Sequence, residues 1–180
     1  MALPLAGRRA FALEMQALAV STDGPPRRQA TGLDPKRFAL LAAVLDRLGG
    51  VRVGRMDLYG ATAAGIRVTD PGCDLAVVAA LASSALGSPP PAGSAFVGEV
   101  SLTGQVRPVP GMTQRVAAAA RAGVTTLYCP DLGEVPGAMR VVPVRHVSDA
   151  VRWTRKGVGT DLEKAVMTGA NGGRGPENPL

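Results

Sequence analysis

What this 180-residue chain has little of narrows its chemistry before any motif is read. Lysine is scarce: Lys36, Lys156 and Lys164 are the only three among twenty basic residues, and the rest are arginine. A guanidinium stays protonated near neutral pH, so arginine cannot replace a missing amine base. His146 is the only histidine, which disfavours zinc sites built on histidine pairs and triads with a choice of bases. It sits in the mostly apolar Val141–Val147 run, where a structural role is expected. Two cysteines, Cys73 and Cys129, lie far apart and fit no metal-ligand spacing, so buried thiols are preferred over a disulfide. Aromatic residues make up only 3%, and they are too scattered to form a platform for stacking bases. No apolar run approaches the ~20 residues of a membrane helix. The opening MALPLAGRRAFALEMQALAV lacks the order of a signal peptide, a basic region followed by an apolar one. No membrane partner is therefore expected, and cytoplasmic residence is. A G-x-x-x-x-G-K-[ST] phosphate loop is also missing, which argues against nucleotide hydrolysis by these residues.

What is present belongs to a folded domain. Hydrophobic residues make up 46% and charged residues 19%, a length and balance that fit one core built from Ala, Val and Leu. The formal charge is +6, and its placement matters more than its size. Residues 1–56 carry nine basic residues against four acidic ones, while residues 57–145 balance six against six. A concentrated basic face is the electrostatic footprint of a phosphate-backbone binder. A solvated surface in an arginine-rich chain is the alternative, and composition does not separate the two. The candidate phosphate contacts are Arg27, Arg28, Lys36, Arg37, Arg52 and Arg55.

Patterning gives a mixed order of elements. A strand is expected over residues 8–20, then a polar loop from Thr22 to Thr31. Asp34 caps a helix with Pro35 at its first position, and Phe38, Leu41, Ala42, Leu45 and Leu48 form its buried stripe before Gly49-Gly50 stops it. Strand pieces follow at Arg52–Gly60 and Ala64–Val68, and Asp70-Pro71 opens an alanine-rich helix. Beyond the Pro89–Pro91 run, strands at Ala95–Leu102 and Gln105–Val109 lead into a helix near Met112–Ala122. Thr125–Cys129 and Met139–Val144 read as further strands, and Ser148–Arg155 as a closing helix. The boundaries are one domain over residues 1–155, with residues 1–33 as its N-terminal strand and basic loop, and a Gly-rich flexible tail over 156–180. Elements without strict alternation point to α+β.

Two segments carry a resemblance. GEVSLTGQVRPVPGMTQRVAAAARAG, residues 98–123, reads as strand, Thr103-Gly104 turn, strand and helix. This resembles the proteolytic domain of the Lon family, where that unit carries a catalytic lysine in the first helical turn; Thr113 stands there instead. GIRVTDPGCDLA, residues 65–76, resembles the junction that bears the family's nucleophilic serine. Here the position is Gly72 or Cys73, and no serine occurs between Gly65 and Ala82. The wording of both segments is similar to the C-terminal Lon-like domain of the RadA (Sms) family of bacterial DNA repair proteins. So are residues 10–18 and 26–34.

The resemblance implies a ribosomal-protein-S5-domain-2-like mixed sheet with packed helices and a degenerate peptidase site without catalytic residues. It also implies a non-catalytic role in repair and recombination, through DNA-backbone contacts and assembly of a homo-oligomer, with a hexameric ring as the family precedent. No cofactor is expected in this chain. ATP, Mg and Zn would belong to the ATPase and zinc-finger modules that the family carries upstream. A scaffold without DNA contact and a residual Lon-type peptidase are the competing expectations.

Overall fold

The computed structural model describes residues 1–130, 132 and 139–152. The chain opens with a short antiparallel hairpin, β1 (Leu5–Ala6) and β2 (Arg9–Ala10). Next come β3 (Met15–Ser21) and β4 (Arg28–Thr31), then helix α1 (Pro35–Val44), which continues through a π turn over Leu45–Gly49. β5 (Met56–Thr62) lies at the centre of a three-stranded sheet, antiparallel to β3 and parallel to β4. After a 3₁₀ turn at Pro71–Cys73 comes α2 (Asp74–Leu86), then β6 (Ser94–Phe96). β7 (Glu99–Val100) and β8 (Val106–Arg107) form a second hairpin ahead of α3 (Met112–Arg121). β9 (Thr126–Cys129) is flanked by β6 and β10 (Arg140–Pro143) in a fully parallel sheet, and α4 (Val147–Ala150) follows.

Two apolar cores form, and the parallel sheet borders both, with Phe96 and Tyr128 in the first and Leu127 and Cys129 in the second. β3 turns Met15, Ala17 and Ala19 inward and leaves Gln16, Leu18 and Val20 exposed, the period of two that a half-buried strand requires. α2 is apolar around most of its circumference and is buried accordingly. Asp70 caps its entry by accepting from Gly72 N–H at 2.8 Å, and Gly87 closes it in the left-handed region at φ 60°. α1 comes so close to the sheet that a Cβ on Gly60 would collide with the Phe38 ring. The second core lies between α3 and the parallel sheet, with Leu3, Val97, Ala118, Ala119, Leu127 and Cys129 at its centre. The N-terminal segment joins this layer: Ala2 bridges both Leu13 and Phe96.

The mixed α+β architecture stands, while several boundaries differ from the patterning. Arg28–Thr31, expected as part of a loop, is the edge strand β4; four residues of mostly polar character carry no periodic signal. The expected strand at Ala64–Val68 is a turn, because Ala64 and Gly65 both take positive φ, and only Val68 bridges a neighbour, Leu33. The run Ala95–Leu102 is split between two sheets. At the break, a Cβ on Gly98 would come within 2.5 Å of Val106. The proposed end of the last helix and the tail over 156–180 lie outside the described residues. Among the described residues no helix is long and apolar enough to cross a membrane.

Candidate functional site

The turn Pro71–Cys73 and the start of α3 meet around one buried ion pair. Arg115 stems from the second turn of α3 and is only 1% exposed. Its Nη1 donates to Asp70 Oδ2 at 2.7 Å and to the Leu3 carbonyl at 2.6 Å. Nη2 donates to Asp70 Oδ1 at 3.1 Å and Nε to the Pro110 carbonyl at 3.1 Å. This fork-to-fork geometry is the pairing for which arginine is pre-organised. Asp70 also accepts from Leu5 N–H at 2.7 Å, so one carboxylate ties the N-terminal hairpin, the α2 entry and α3 together. Burial alone would push its carboxyl up. The Arg115 bonds and charge and the Leu5 and Gly72 N–H groups outweigh that and hold it below the ordinary carboxylate range.

Gly72 lies directly against this pair. A Cβ there would come within 2.6 Å of Arg115 Nη1 and 2.8 Å of its Cζ. The neighbouring Cys73 is buried, and its thiol is pushed up to about 12 by desolvation. The nearby Asp70 and Asp74 charges raise it further, and Arg115 offsets only part of the rise. Such a thiol stays protonated at neutral pH, the form in which sulfur is a poor nucleophile and a poor metal ligand. Thr113 is exposed on α3, whereas Arg115 shares the buried face with Ala118 and Ala119. The guanidinium two residues further along the helix is therefore what reaches Gly72. Arg115 carries no amine-base signal in the sequence, because a guanidinium stays protonated at neutral pH. The helical spacing of 115, 118 and 119 was the signal that it faces inward.

A second pair lies on the other side of the same turn. Asp74, at the start of α2, is buried and accepts from Arg37 through both nitrogens of its fork, with Nε at 3.1 Å. The same carboxylate accepts from Val100 N–H at 3.0 Å, while Arg37 Nη2 donates to the Val100 carbonyl at 2.9 Å. Burial pushes the Asp74 carboxyl upward against the pull of these partners, and Arg37 is held more firmly charged by the contact. α1, α2 and the β7–β8 hairpin are thereby joined. A cleft of about 390 Å³ opens beside the pair, floored by Leu33, Phe38 and Val68.

The six basic candidates fall into two groups at opposite ends of the first sheet. α1 and its π turn carry the chain roughly 20 Å, at about 1.5 Å per residue, from Lys36 and Arg37 back to the end where β4 begins. There Arg28 donates to the carbonyls of Arg27, Val53, Gly54 and Met56, lacing residues 27–28 to the loop before β5. Arg27, Arg52 and Arg55 are exposed around that loop, and Asp46 shapes it by accepting from Val53 and Gly54 N–H at 2.8 and 2.6 Å. Lys36, the only lysine among the described residues, is exposed at the start of α1. Arg28 and Arg37 are thus engaged internally, and the other four are exposed with no side-chain ion pair to another of the described residues.

His146 has a positional task. Its Nδ1 accepts from Ser148 N–H at 3.3 Å at the head of α4, Asp149 returns a bond to the His146 N–H at 3.1 Å, and Nε2 lies 3.2 Å from the Thr103 carbonyl. These contacts seat the β7–β8 turn on α4.

Comparison with known proteins identifies the family. Residues 63–153 match the Lon protease (S16) C-terminal proteolytic domain. The chain is 40% identical over 151 residues to the DNA repair protein RadA of Bacillus subtilis, covering 81% of this chain and 33% of that protein. It is 39% identical over 153 residues to the RadA of Mycolicibacterium smegmatis (84% and 33%) and 36% identical over 149 residues to that of Escherichia coli (81% and 32%). The chain thus spans about a third of the length of the curated relatives it matches. With half of its length matched around the Asp70–Arg115 node, the chain belongs to the Lon protease C-terminal proteolytic domain family.

Proposed function

We propose that this chain is a non-catalytic Lon-type module acting in DNA repair in the manner of the RadA proteins it resembles, contacting the nucleic-acid backbone and packing against copies of itself. The observation that carries the first part is the Arg115–Asp70 pair seated against Gly72. A Ser-Lys mechanism needs a nucleophile and a neutral amine in contact. Around Gly72 this chain holds a guanidinium bonded to carboxylate and carbonyl oxygens, beside a thiol too weakly acidic to ionise at neutral pH, which supports the non-catalytic reading. Arg27, Arg52, Arg55 and Lys36 supply charge for phosphate contacts without base readout. No cofactor is assigned to these residues.

The test is salt-resolved binding. Affinity for a labelled oligonucleotide should be sequence-tolerant and fall steeply between about 50 and 200 mM salt, as counterion release requires. A flat salt response, or unchanged affinity after Arg27→Ala, Arg52→Ala and Arg55→Ala are combined, removes the DNA-contact part. Cleavage of casein by the purified chain removes the non-catalytic part.

A second reading, a scaffold that touches neighbouring subunits but not DNA, is favoured by one surface. Leu18 and Val20 on β3 are 55% and 46% exposed beside Tyr59 on the outer face of the first sheet. Light scattering over a concentration series, with Leu18→Ser and Val20→Thr, checks it: self-association that disappears in the double variant supports a role for this face in assembly.

A further inference from the structure

The cleft beside the Arg37–Asp74 pair is acidic, on a chain whose formal charge is +6. It holds about 390 Å³, inside the roughly 300–1,000 Å³ range of ligand pockets. α1 lines it on one side, residues 68–71 and the first half of α2 on the other, and Glu99 at the head of β7 completes the lining. Neither Cys73 nor any residue of α3 takes part, so the cleft belongs to the Asp74 side of the turn and not to the Arg115 side.

Four carboxylates line it, Asp34, Asp70, Asp74 and Glu99, against the single guanidinium of Arg37. Asp70 is spent on Arg115 and Asp74 on Arg37. Asp34 uses only Oδ1, which accepts from Arg37 N–H at 2.7 Å; its Oδ2 stays unbonded among the described residues. The Glu99 side chain is half-buried and has no hydrogen bond or ion pair to another described residue, yet its charge acts on both Arg37 and Asp74. Two negative charges are therefore left without a cation, over the apolar floor of Leu33, Phe38 and Val68. Beside them the exposed Thr69 keeps its backbone N–H and carbonyl unbonded among the described residues. It stands between Val68, which bridges Leu33, and Asp70, whose backbone is extended at φ −78° and ψ 117°.

The geometry points to a docking site for a short extended segment of another protein, in which an aliphatic side chain is followed two residues later by arginine or lysine. Side chains two apart on an extended chain share one face, so both enter the cleft. The aliphatic group settles on the floor, and the cation meets Asp34 and Glu99. Main-chain bonds to Thr69 add affinity without selecting sequence, as in strand addition. The acidic rim favours a basic segment and rejects an acidic one. This inference goes beyond the non-catalytic repair reading and needs neither DNA contact nor self-assembly.

The experiment titrates the whole chain with the capped peptide GSLSRSG and follows backbone amide chemical shifts. The Thr69 and Val100 amides should move and saturate, since Thr69 lines the cleft and Val100 N–H reports on Asp74. GSASRSG, without the aliphatic group, and GSLSESG, with the charge reversed, should each bind at least about threefold more weakly. Asp34→Asn/Glu99→Gln should weaken GSLSRSG by a similar factor. Asparagine still caps a helix, so thermal unfolding of this variant should match the parent. Thr69→Lys, on an exposed residue, should weaken the peptide independently. No saturable shift with GSLSRSG, shifts confined to residues away from the cleft, or equal affinity for all three peptides overturns the proposal. Self-association of the parent that disappears in Asp34→Asn/Glu99→Gln would show that a second copy fills the cleft, and overturns the assignment to another protein.

Discussion

Arg115 occupies the space that any side chain on Gly72 would enter, with its Nη1 only 2.6 Å from where a Cβ would lie. The guanidinium cannot step aside cheaply, because four hydrogen bonds to Leu3, Asp70 and Pro110 hold it in a buried setting. Gly72→Ser, the simplest attempt to restore a nucleophile, should therefore destabilise the fold by about 1–3 kcal/mol through overpacking. It should also fail to cleave casein or a fluorogenic peptide. Chemical denaturation and a peptidase assay check the two halves, and a stable, active variant would refute both.

Removing one partner of the pair should cost more. Asp70→Ala leaves Arg115 charged and buried and frees the N–H groups of Leu5 and Gly72. Breaking a buried pair from one side is worth about 3–5 kcal/mol. Arg115→Met, which removes the charge and keeps much of the volume, should be milder when combined with Asp70→Asn than either change alone. The double-mutant cycle measures the coupling, and strictly additive losses would argue against a paired node.

The same carboxylate sets an acid limb. Because the folded state holds Asp70 below the ordinary value of about 3.9, its contribution is complete above that pH and is lost as pH falls through the folded value. Asp74, raised by burial, works in the opposite sense, and its part of the stability declines as pH rises above about 3.9. Denaturation midpoints of Asp70→Asn should therefore fall less steeply toward low pH than those of the parent. An identical acid limb in both proteins would show that Asp70 is not the group responsible.

Neighbouring basic residues at the start of α1 should behave differently. Arg37→Ala strands the buried Asp74 carboxylate and should cost about 1–3 kcal/mol, the range for an orphaned buried group. Lys36→Ala, on an exposed side chain, should stay within about 0.5 kcal/mol. Parallel urea melts decide it. Equal effects would mean that Arg37 does not hold Asp74 in solution.

Local chemistry was legible in the chain, and long-range pairing was not. The Asp34-Pro35 start of α1, the Gly111 and Gly123 limits of α3, and the strands β9 and β10 follow from caps, breakers and apolar runs only a few residues long. β4 escaped notice because its partner β5 supplies the order that Arg-Gln-Ala-Thr does not encode alone. Arg37 was read as a surface cation, yet its partner lies 37 residues away; Arg115 and Asp70 are 45 apart. A formal charge does not reveal whether the fold has already spent it.

The thiol beside the degenerate position offers the most direct readout of the site. Cys73 is buried, its pKa lies near 12, and Cys129 is buried as well. Alkylation proceeds through the thiolate, so at neutral pH neither sulfur should react with iodoacetamide while the protein is folded. Both should label fully in denaturant, and the native rate should follow global or local opening, rising as urea approaches the midpoint. Gly72→Ser, by displacing Arg115, should accelerate labelling of Cys73 before it affects Cys129, since only Cys73 adjoins the pair. Mass spectrometry of the two cysteine peptides resolves the sites. Rapid modification of Cys73 in the folded parent at neutral pH would mean an activated thiolate, and would reopen the case for nucleophilic chemistry at this turn.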